Sequence, residues 1–440
     1  MDTIAAIATA PGVGAISIIR ISGDQAWDIG KKISGKSPIH RTALFCEFKN
    51  HNNEALDEGL LLGFRSPQSF TGEDVIELQG HGGSMVPRLL LDEVIRLGAR
   101  LAEPGEFSLR AFLNNKIDLT QAEAISDLIE SDSIMSAKAS INSLRGQFSE
   151  VINITADRLM ELRTYIEAFL DFPDEEIPEE DKSSIQRKFL LLKKELKHIS
   201  KIAWQGEAIR KHKKVVILGE PNAGKSSLMN LLGLNDISIV TSSAGTTRDL
   251  IEKEVIVEDI KIHLVDTAGI RDEPESIEKI GIDKAFKAIH DASLILWVHD
   301  FSQQRASEIP AEIANSKTPT IEVMNKIDLL PADSSLSNDK NFVYISAKNG
   351  EGVDALKKLI AQKCFASGSE TLIASRARHA ERAEACEELL TQSEESFLNG
   401  SLELSAEFLK KAHDTFGEIT GKITPDDLLG SIFSSFCIGK

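Results

Sequence analysis

Residues 213–226 read KKVVILGEPNAGKS, and they decide how the middle of the chain folds. Val215, Val216, Ile217 and Leu218 form a short apolar run of β-forming side chains, which predicts a buried strand. Gly219 to Ser226 then match G-x-x-x-x-G-K-S. A strand, a glycine-rich turn and a following helix are the setting in which this spacing cradles a phosphate. The glycines let backbone N–H groups curl round the anion, and the helix N-terminus adds its positive end. Lys225 is predicted to reach the β- and γ-phosphates, and the Ser226 hydroxyl to ligate Mg²⁺. Asn222, Ala223, Gly224 and Ser227 complete this predicted phosphate loop.

Further stretches follow in the order a GTP site needs. Thr241, Ser242, Ser243, Ala244, Gly245, Thr246 and Thr247 lie between the loop and the next motif, and Thr247 offers a second Mg²⁺ hydroxyl. Asp266-Thr267-Ala268-Gly269 closes the apolar run Ile262–Val265. There Asp266 can hold Mg²⁺ through water and the Gly269 N–H can meet the γ-phosphate. Asn325-Lys326-Ile327-Asp328 closes Thr320–Met324. A carboxylate at Asp328 can accept from N1–H and the 2-amino group of guanine, donors that adenine lacks. Ser346, Ala347 and Lys348 would back the base. The residue after Gly269 is Ile270, where many Ras-like proteins carry a water-orienting Gln. Asp272, Glu273, Glu275 and Glu278 are nearby carboxylates that could serve instead, and their spacing does not choose between them.

Outward from the loop, the runs Leu294–Val298 and Phe342–Ile345 join those already named. Strands alternating with helices predict a parallel, doubly wound α/β domain over 211–367. Before it, 1–116 mixes the β-like runs Ile4–Ala10, Ala15–Ile21, Glu58–Arg65 and Val75–Gln79 with a helix at Val86–Leu97, a small α+β domain. Residues 117–210 have helical periodicity, broken by an acidic loop at 174–181 that reads as a solvated linker. Helical pattern resumes over 368–440. The simplest architecture is therefore an all-helical domain, 117–210 plus 368–440, interrupted by the α/β domain and preceded by the α+β domain.

Composition narrows the function classes. The 440 residues carry 50 Lys and Arg against 68 Asp and Glu, a net charge of −18. That balance opposes wrapping a polyanion over a whole face, so a nucleic-acid ligand would need a local basic site or a second protein. Aromatics are 5% of the chain, so base stacking on this chain alone looks weak. No apolar run is long enough for a membrane helix, and the start MDTIAAIATA has no basic leader region. Cys46, Cys364, Cys386 and Cys437 are scattered, which argues against a disulfide framework or zinc site and fits a reducing cytoplasm.

The order of motifs resembles the tRNA-modification GTPase family MnmE, also written TrmE. Beyond the GTPase motifs, the likeness rests on PGVGAISIIRISG (11–23), SFTGEDVIELQGHGG (69–83), PGEFSLRAFLNNKIDLTQAEAISDLI (104–129), AGTTRD (244–249) and FCIGK (436–440). The resemblance implies an N-terminal dimerisation and tetrahydrofolate-binding domain and a Ras-like GTPase domain inserted in the helical one. It implies a homodimer that works with the flavoprotein MnmG in a heterotetramer. The complex would add a carboxymethylaminomethyl or aminomethyl group to C5 of the wobble uridine, position 34, of tRNA. The carbon would come from 5-formyl- or 5,10-methylene-tetrahydrofolate, and GTP hydrolysis to GDP would drive a conformational cycle.

Residue by residue, Arg20, Glu77, Lys116 and Lys440 look like the family's folate contacts. Charge complementarity is coherent with that, since folate carries carboxylates and a pterin. Asn222, Thr241, Ser243 and Thr246 look like its K⁺ site, and Glu278 matches its water-orienting glutamate. Cys437 is implied in modification; on its own it reads equally well as a small buried residue. Outside the resemblance, His81 reads as a turn residue. Arg376, Arg378, His379 and Arg382 read as a basic patch, either solvated or facing tRNA phosphate. The competing reading of the whole chain is an RNA- or ribosome-assembly switch GTPase without one-carbon chemistry. Such a protein would need neither the Arg20–Glu77–Lys116 block nor the Cys437–Lys440 tail.

Overall fold

The computed structural model describes residues 2–131, 133–170, 178–210, 213–219, 221–234, 251–258, 260–266, 292–303, 309–314, 316, 318–330, 341–364, 372–422, 426–434, 436 and 439. The chain divides into two compact units. One comprises 1–126, 143–200 and 378–440, the other 127–142 and 201–377.

The first unit opens with β1 (Ile4–Ile7), β2 (Ile16–Ser22), α1 (Ala26–Ser34), β3 (Leu44–Lys49), β4 (Ala55–Phe64), β5 (Val75–His81), α2 (Val86–Arg96), β6 (Arg100–Leu101) and α3 (Glu106–Leu113). The sheet order is β3-β4-β5-β2-β1-β6, antiparallel except for β1 beside β6. Alternation along each strand makes two faces. Ile19, Ile21, Leu61, Ile76 and Leu78 face one way and bury against Trp27, Ile29 and Ile33 of α1 and Leu90 and Val94 of α2. Ile4 and Ala6 face the other way, against Phe107 of α3. Arg20 and Glu77 sit on this second face, out of phase with the core residues beside them.

Helices follow: α4 (Leu119–Glu130), α5 (Ile134–Leu144), α6 (Gln147–Leu170) and α7 (Glu179–Arg210). The second unit then contributes β7 (Lys213–Gly219), α8 (Lys225–Leu234), β8 (Ile251–Val257), β9 (Ile260–Asp266), β10 (Leu294–Asp300), α9 (Ala311–Ala314), β11 (Thr320–Asn325), β12 (Phe342–Tyr344) and α10 (Val353–Cys364). Its sheet runs β12-β11-β10-β7-β9-β8. Five strands are parallel, as the alternation predicts. The sixth, β8, is antiparallel to β9, with Val257 paired to Ile260. Two residues are too few for a crossover, so that connection must be a hairpin. Along β7, Val215 and Ile217 enter one core, while Val216 and Leu218 enter another on the opposite face. Burial on both faces is why the strand reads as a continuous apolar run rather than an alternating one.

The chain closes with α11 (Ala377–Leu398), α12 (Leu402–Gly417) and α13 (Asp426–Ser434). In the first unit α12 packs along α6, and an ion cluster lies among these helices. Arg378 grips Glu123 with two hydrogen bonds of 2.8 Å, and His379 Nε2 lies 2.8 Å from the same carboxylate. Arg378 also donates to the carbonyls of Glu418 and Ile419, just past α12, where helix carbonyls lack partners. Burial alone would push the Glu123 carboxyl up, but His379 and Arg378 hold it far below the usual carboxylate range. The sequence-level basic patch is thereby corrected. Arg378 and His379 are internal ion partners, Arg376 pairs with Asp127 at 3.1 Å, and Arg382 pairs with Glu418 at 2.8 Å. Each cation already faces an acid that lies far away in sequence.

Candidate functional site

Among the described residues, the second unit places Gly219, Lys225, Asp266, Asn325 and Asp328 at or just past the C-terminal ends of parallel strands, where open α/β sheets bind ligands. Gly219 ends β7 with φ near +145°, and a Cβ there would lie 2.1 Å from the Val298 carbonyl. Glycine is therefore required for β7 to lie against β10 at that point. Lys225 opens α8 and donates from Nζ to the Gly219 carbonyl at 3.2 Å, which keeps the ammonium at the loop. Ser226 and Ser227 are exposed in the first turn of α8, and Asn222 is exposed with φ near 62°. Asp266 ends β9 directly beside Ile217 of β7.

The residues predicted to read the base are tied to this loop. Asn325, 2% exposed, donates from Nδ2 to the Ala223 carbonyl at 2.7 Å. Its Oδ1 accepts from the Ala347 N–H at 2.9 Å. Asn325 therefore clamps the phosphate loop to the Ser346–Lys348 loop with one buried and one partly buried bond. A Cβ at Gly224 would lie 2.4 Å from Asn325 Nδ2, so the second loop glycine is needed for this clamp. Ser346 Oγ donates to Asp328 Oδ1 at 2.7 Å and accepts from the Asn349 N–H at 3.2 Å. The carboxylate is thus held in one orientation, and each oxygen has two lone pairs with which to meet a ligand's donors.

Asp300, which the motif reading missed, belongs to the same group. It ends β10 opposite Asn325, and its Oδ2 accepts from Lys326 Nζ at 2.6 Å. Its Oδ1 accepts from the Ser302 N–H at 3.2 Å and hydroxyl at 2.5 Å. Burial raises the Asp300 carboxyl, but these hydrogen bonds from Lys326 and Ser302 outweigh it and hold the group below its ordinary value. Lys326 itself has φ near 69°, which directs the chain sharply off β11.

The first unit brings together three of its four predicted contacts through one loop. Arg20 and Glu77 are direct cross-strand partners, and Arg20 Nε and Nη2 donate to Glu77 Oε1 at 3.1 and 2.9 Å. Both side chains are partly open, 23% and 12%. The Arg20 guanidinium lies 5.5 Å from the Phe70 ring centre and 5.9 Å from that of Phe107. Lys116 Nζ donates to the Pro67 carbonyl at 2.9 Å. The loop 66–73 thus touches Arg20 through Phe70 and Lys116 through Pro67. A buried network also missed in the sequence holds that loop. Arg110 donates to Glu73 at 3.1 Å, Glu73 accepts from Ser22 at 2.6 Å, and Ser22 meets Thr71 at 2.7 Å.

The C-terminal tail packs in the same unit. Phe433 and Phe436, 2% and 5% exposed, join Leu119 and Ala122 in one cluster, and the Gly439 backbone approaches the Ile7 carbonyl. The described residues of the tail are thus packed rather than frayed. Cys437 and Lys440 lie outside the described residues, as do Thr241, Ser242, Ser243, Ala244, Gly245, Thr246, Thr247, Thr267, Ala268, Gly269 and Glu278. His81, read as a turn residue, instead ends β5 and bonds Asp57 at 2.7 Å, which raises its pKa. Burial pushes the Cys364 thiol up to about 11 and Cys386 higher still, so neither is poised as a thiolate.

Comparison with known proteins gives the family. Residues 3–116 match the family model described as GTP-binding protein TrmE N-terminus, and 119–437 match the MnmE helical domain. The chain belongs to the MnmE family. Relatives named tRNA modification GTPase MnmE include those of Legionella pneumophila strain Corby and Saccharophagus degradans. The first is 46% identical over all of both chains. The second is 45% identical over all of this chain and 99% of its own. Among solved structures, the G domain of the T. maritima FeoB iron transporter matches 35% of this chain and 99% of its own, at 26% identity and TM-score 0.26. A GTP-binding protein from Sulfolobus solfataricus in complex with GDP matches 63% of this chain and 76% of its own, at 18% identity and TM-score 0.27. The junction between the two MnmE family models, at 116–119, falls between α3 and α4.

Proposed function

We propose that the chain is a GTP hydrolase acting in tRNA modification, the GTP-hydrolysing half of a complex that modifies C5 of the wobble uridine. Membership of the MnmE family supports the GTPase and its tRNA context. The observation that carries the nucleotide reading is the Asn325 clamp, which joins a phosphate loop to a base-reading Asp328 in one rigid group. Guanine would be read by Asp328, backed by Ser346, with Lys326 held by Asp300. Lys225 and the backbone of 221–225 would hold the phosphates.

The residue types present support the ions this reading requires. Ser226 and Asp266 are hard oxygen donors at the ends of α8 and β9, as Mg²⁺ prefers. Magnesium would neutralise charge that develops on the phosphates. Asn222 offers one oxygen to K⁺, which would offset phosphate charge where an arginine finger otherwise acts. The remaining K⁺ contacts, Thr241, Ser243 and Thr246, with Glu278 as water-orienting base, complete the proposed catalytic set.

The folate reading has its own support. Arg20, Glu77 and Phe70 put a cation, a carboxylate and an aromatic ring together on a partly open face, with Lys116 bonded to the Phe70 loop at Pro67. A folate would supply the one-carbon unit. In this chain Arg20 and Lys116 would hold its carboxylates and Glu77 its pterin, with Lys440 and Cys437 joining from the seated tail. A homodimer and the flavoprotein MnmG belong to this proposal. So does a reducing cytoplasm, which the free thiols Cys46 and Cys386 support. No helix among the described residues is long and apolar enough to cross a membrane.

The test is calorimetric titration of 5-formyltetrahydrofolate into the intact chain and into Arg20→Ala. Micromolar binding that weakens at least tenfold in the variant supports the one-carbon reading. No binding to the intact chain, with GTP turnover present, removes it and leaves the switch GTPase.

A further inference from the structure

We propose that the exposed face of α7 between Arg187 and His198 binds the phosphate backbone of tRNA. The inference rests on the tRNA reading above.

A chain of charge −18 repels a polyanion unless its cations are concentrated. They are concentrated on α7. Between 182 and 200 that helix carries six cations, Lys182, Arg187, Lys188, Lys193, Lys194 and Lys197, against one acid, Glu195. Even this acid is covered, because Arg158 of α6 bonds it.

Some of the cations are committed to packing. Lys193 pairs with Glu394 of α11, and Lys188 lies 5.4 Å from the Tyr165 ring centre. Others point outward. Arg187, Leu191, Lys194 and His198 are all exposed and follow the spacing i, i+4, i+7, i+11, a single row on a helix. The row runs about 16 Å at 1.5 Å per residue. Lys197 flanks it, 70% exposed, with Glu387 at 3.3 Å. An exposed pair of that kind is worth little in water and yields readily to a phosphate.

The row is not a plain solvated face. Leu191 is 57% exposed and its neighbour Leu190 is 53% exposed, set among the cations. Those methyl groups suit sugar and base edges that accompany a phosphate backbone. Beside it, α11 exposes Glu381, Glu384, Glu388 and Glu395. A polyanion is therefore drawn to α7 and repelled from α11, which gives the surface an orientation.

The test measures tRNA binding to the intact chain by fluorescence anisotropy over a range of salt. It compares the native protein with the triple variant Arg187→Gln, Lys194→Gln, Lys197→Gln. These exposed positions leave the fold and the GTP site untouched, so GTP turnover without tRNA stays at the native rate. At about 0.1 M salt the variant should bind tRNA at least about tenfold more weakly. Its log–log salt slope should be shallower by about 2–3, since roughly three phosphate contacts are gone. A charge-keeping variant, Arg187→Lys with Lys194→Arg, should bind as the native chain does. Unchanged affinity and slope in the triple variant would overturn the inference. So would loss of binding to a protein partner with tRNA affinity intact. A native chain that hydrolyses GTP yet does not bind tRNA would overturn the inference as well, leaving the tRNA contact to a second protein.

Discussion

Asn325 Nδ2 donates to the carbonyl of Ala223, 2.7 Å away and 102 residues earlier in the chain. Through that bond and the one its Oδ1 accepts from Ala347, the phosphate loop and the base loop move as one body. Replacing Asn325 with Ala leaves the buried Ala223 carbonyl unsatisfied, at about 1–3 kcal/mol, and frees the partly buried Ala347 N–H. Affinity for both GTP and GDP should fall at least about tenfold, because both loops lose position. Titration with a fluorescent GDP measures it. A variant that binds both as tightly as the native chain would mean the loops hold position without the clamp.

Asp300 should act on nucleotide only through Lys326. A lysine side chain carries about 2 kcal/mol of rotamer entropy, and Asp300 fixes much of it beforehand. Asp300→Ala should raise KM for GTP roughly tenfold with kcat nearly unchanged. In a Lys326→Met background the same change should add nothing. An equal penalty in both backgrounds would make Asp300 a general structural residue instead.

The Glu123 cluster sets an acid limit on stability. Its carboxyl is depressed in the folded chain, so its contribution is complete above the ordinary Glu value of about 4.3 and is lost as pH falls through the lower folded value. Native stability should therefore decline below about pH 4.5 more steeply than that of Glu123→Gln. At pH 7 that variant should be less stable by about 3–5 kcal/mol, since Arg378 and His379 lose their counter-charge. Urea midpoints from pH 3 to 7 measure both. Parallel pH profiles would contradict the assignment.

Potassium is the fourth expectation. With Ile270 where a glutamine would stand, hydrolysis should run much faster in K⁺ than in Na⁺ at equal ionic strength. Equal rates would remove Asn222 and its partners from the catalytic set.

The parts of this molecule that were legible in the sequence are those whose signal is local. Gly219 and Gly224 sit at fixed spacing because each lies against another backbone or a buried amide, and such sites leave a motif. Apolar runs marked the five parallel strands, most clearly β7 and β10, whose two faces are both buried. The hairpin strand β8 went unread, since its polar first half, Glu252, Lys253 and Glu254, resembles a surface loop. Helix α1 also went unread: its N-cap, Gln25, makes no side-chain bond, so nothing announced its start. Long-range partners were invisible. Nothing near Arg378 reveals Glu123, 255 residues away, and nothing near Lys326 singles out Asp300. The MnmE resemblance supplied Arg20, Glu77 and Lys116, which spacing alone would have left as surface charges.

The most direct test of the nucleotide site is to titrate GDP, ADP and xanthosine diphosphate into the native chain and into Asp328→Asn. An amide in place of the carboxylate exchanges an acceptor for a donor, which suits the 2-oxo group of xanthine. The account predicts that the native chain binds GDP at least about a thousandfold more tightly than ADP. It also predicts that Asp328→Asn reverses the preference between GDP and xanthosine diphosphate. Unchanged GDP preference in the variant would contradict the assignment of Asp328, and with it the site built around Asn325.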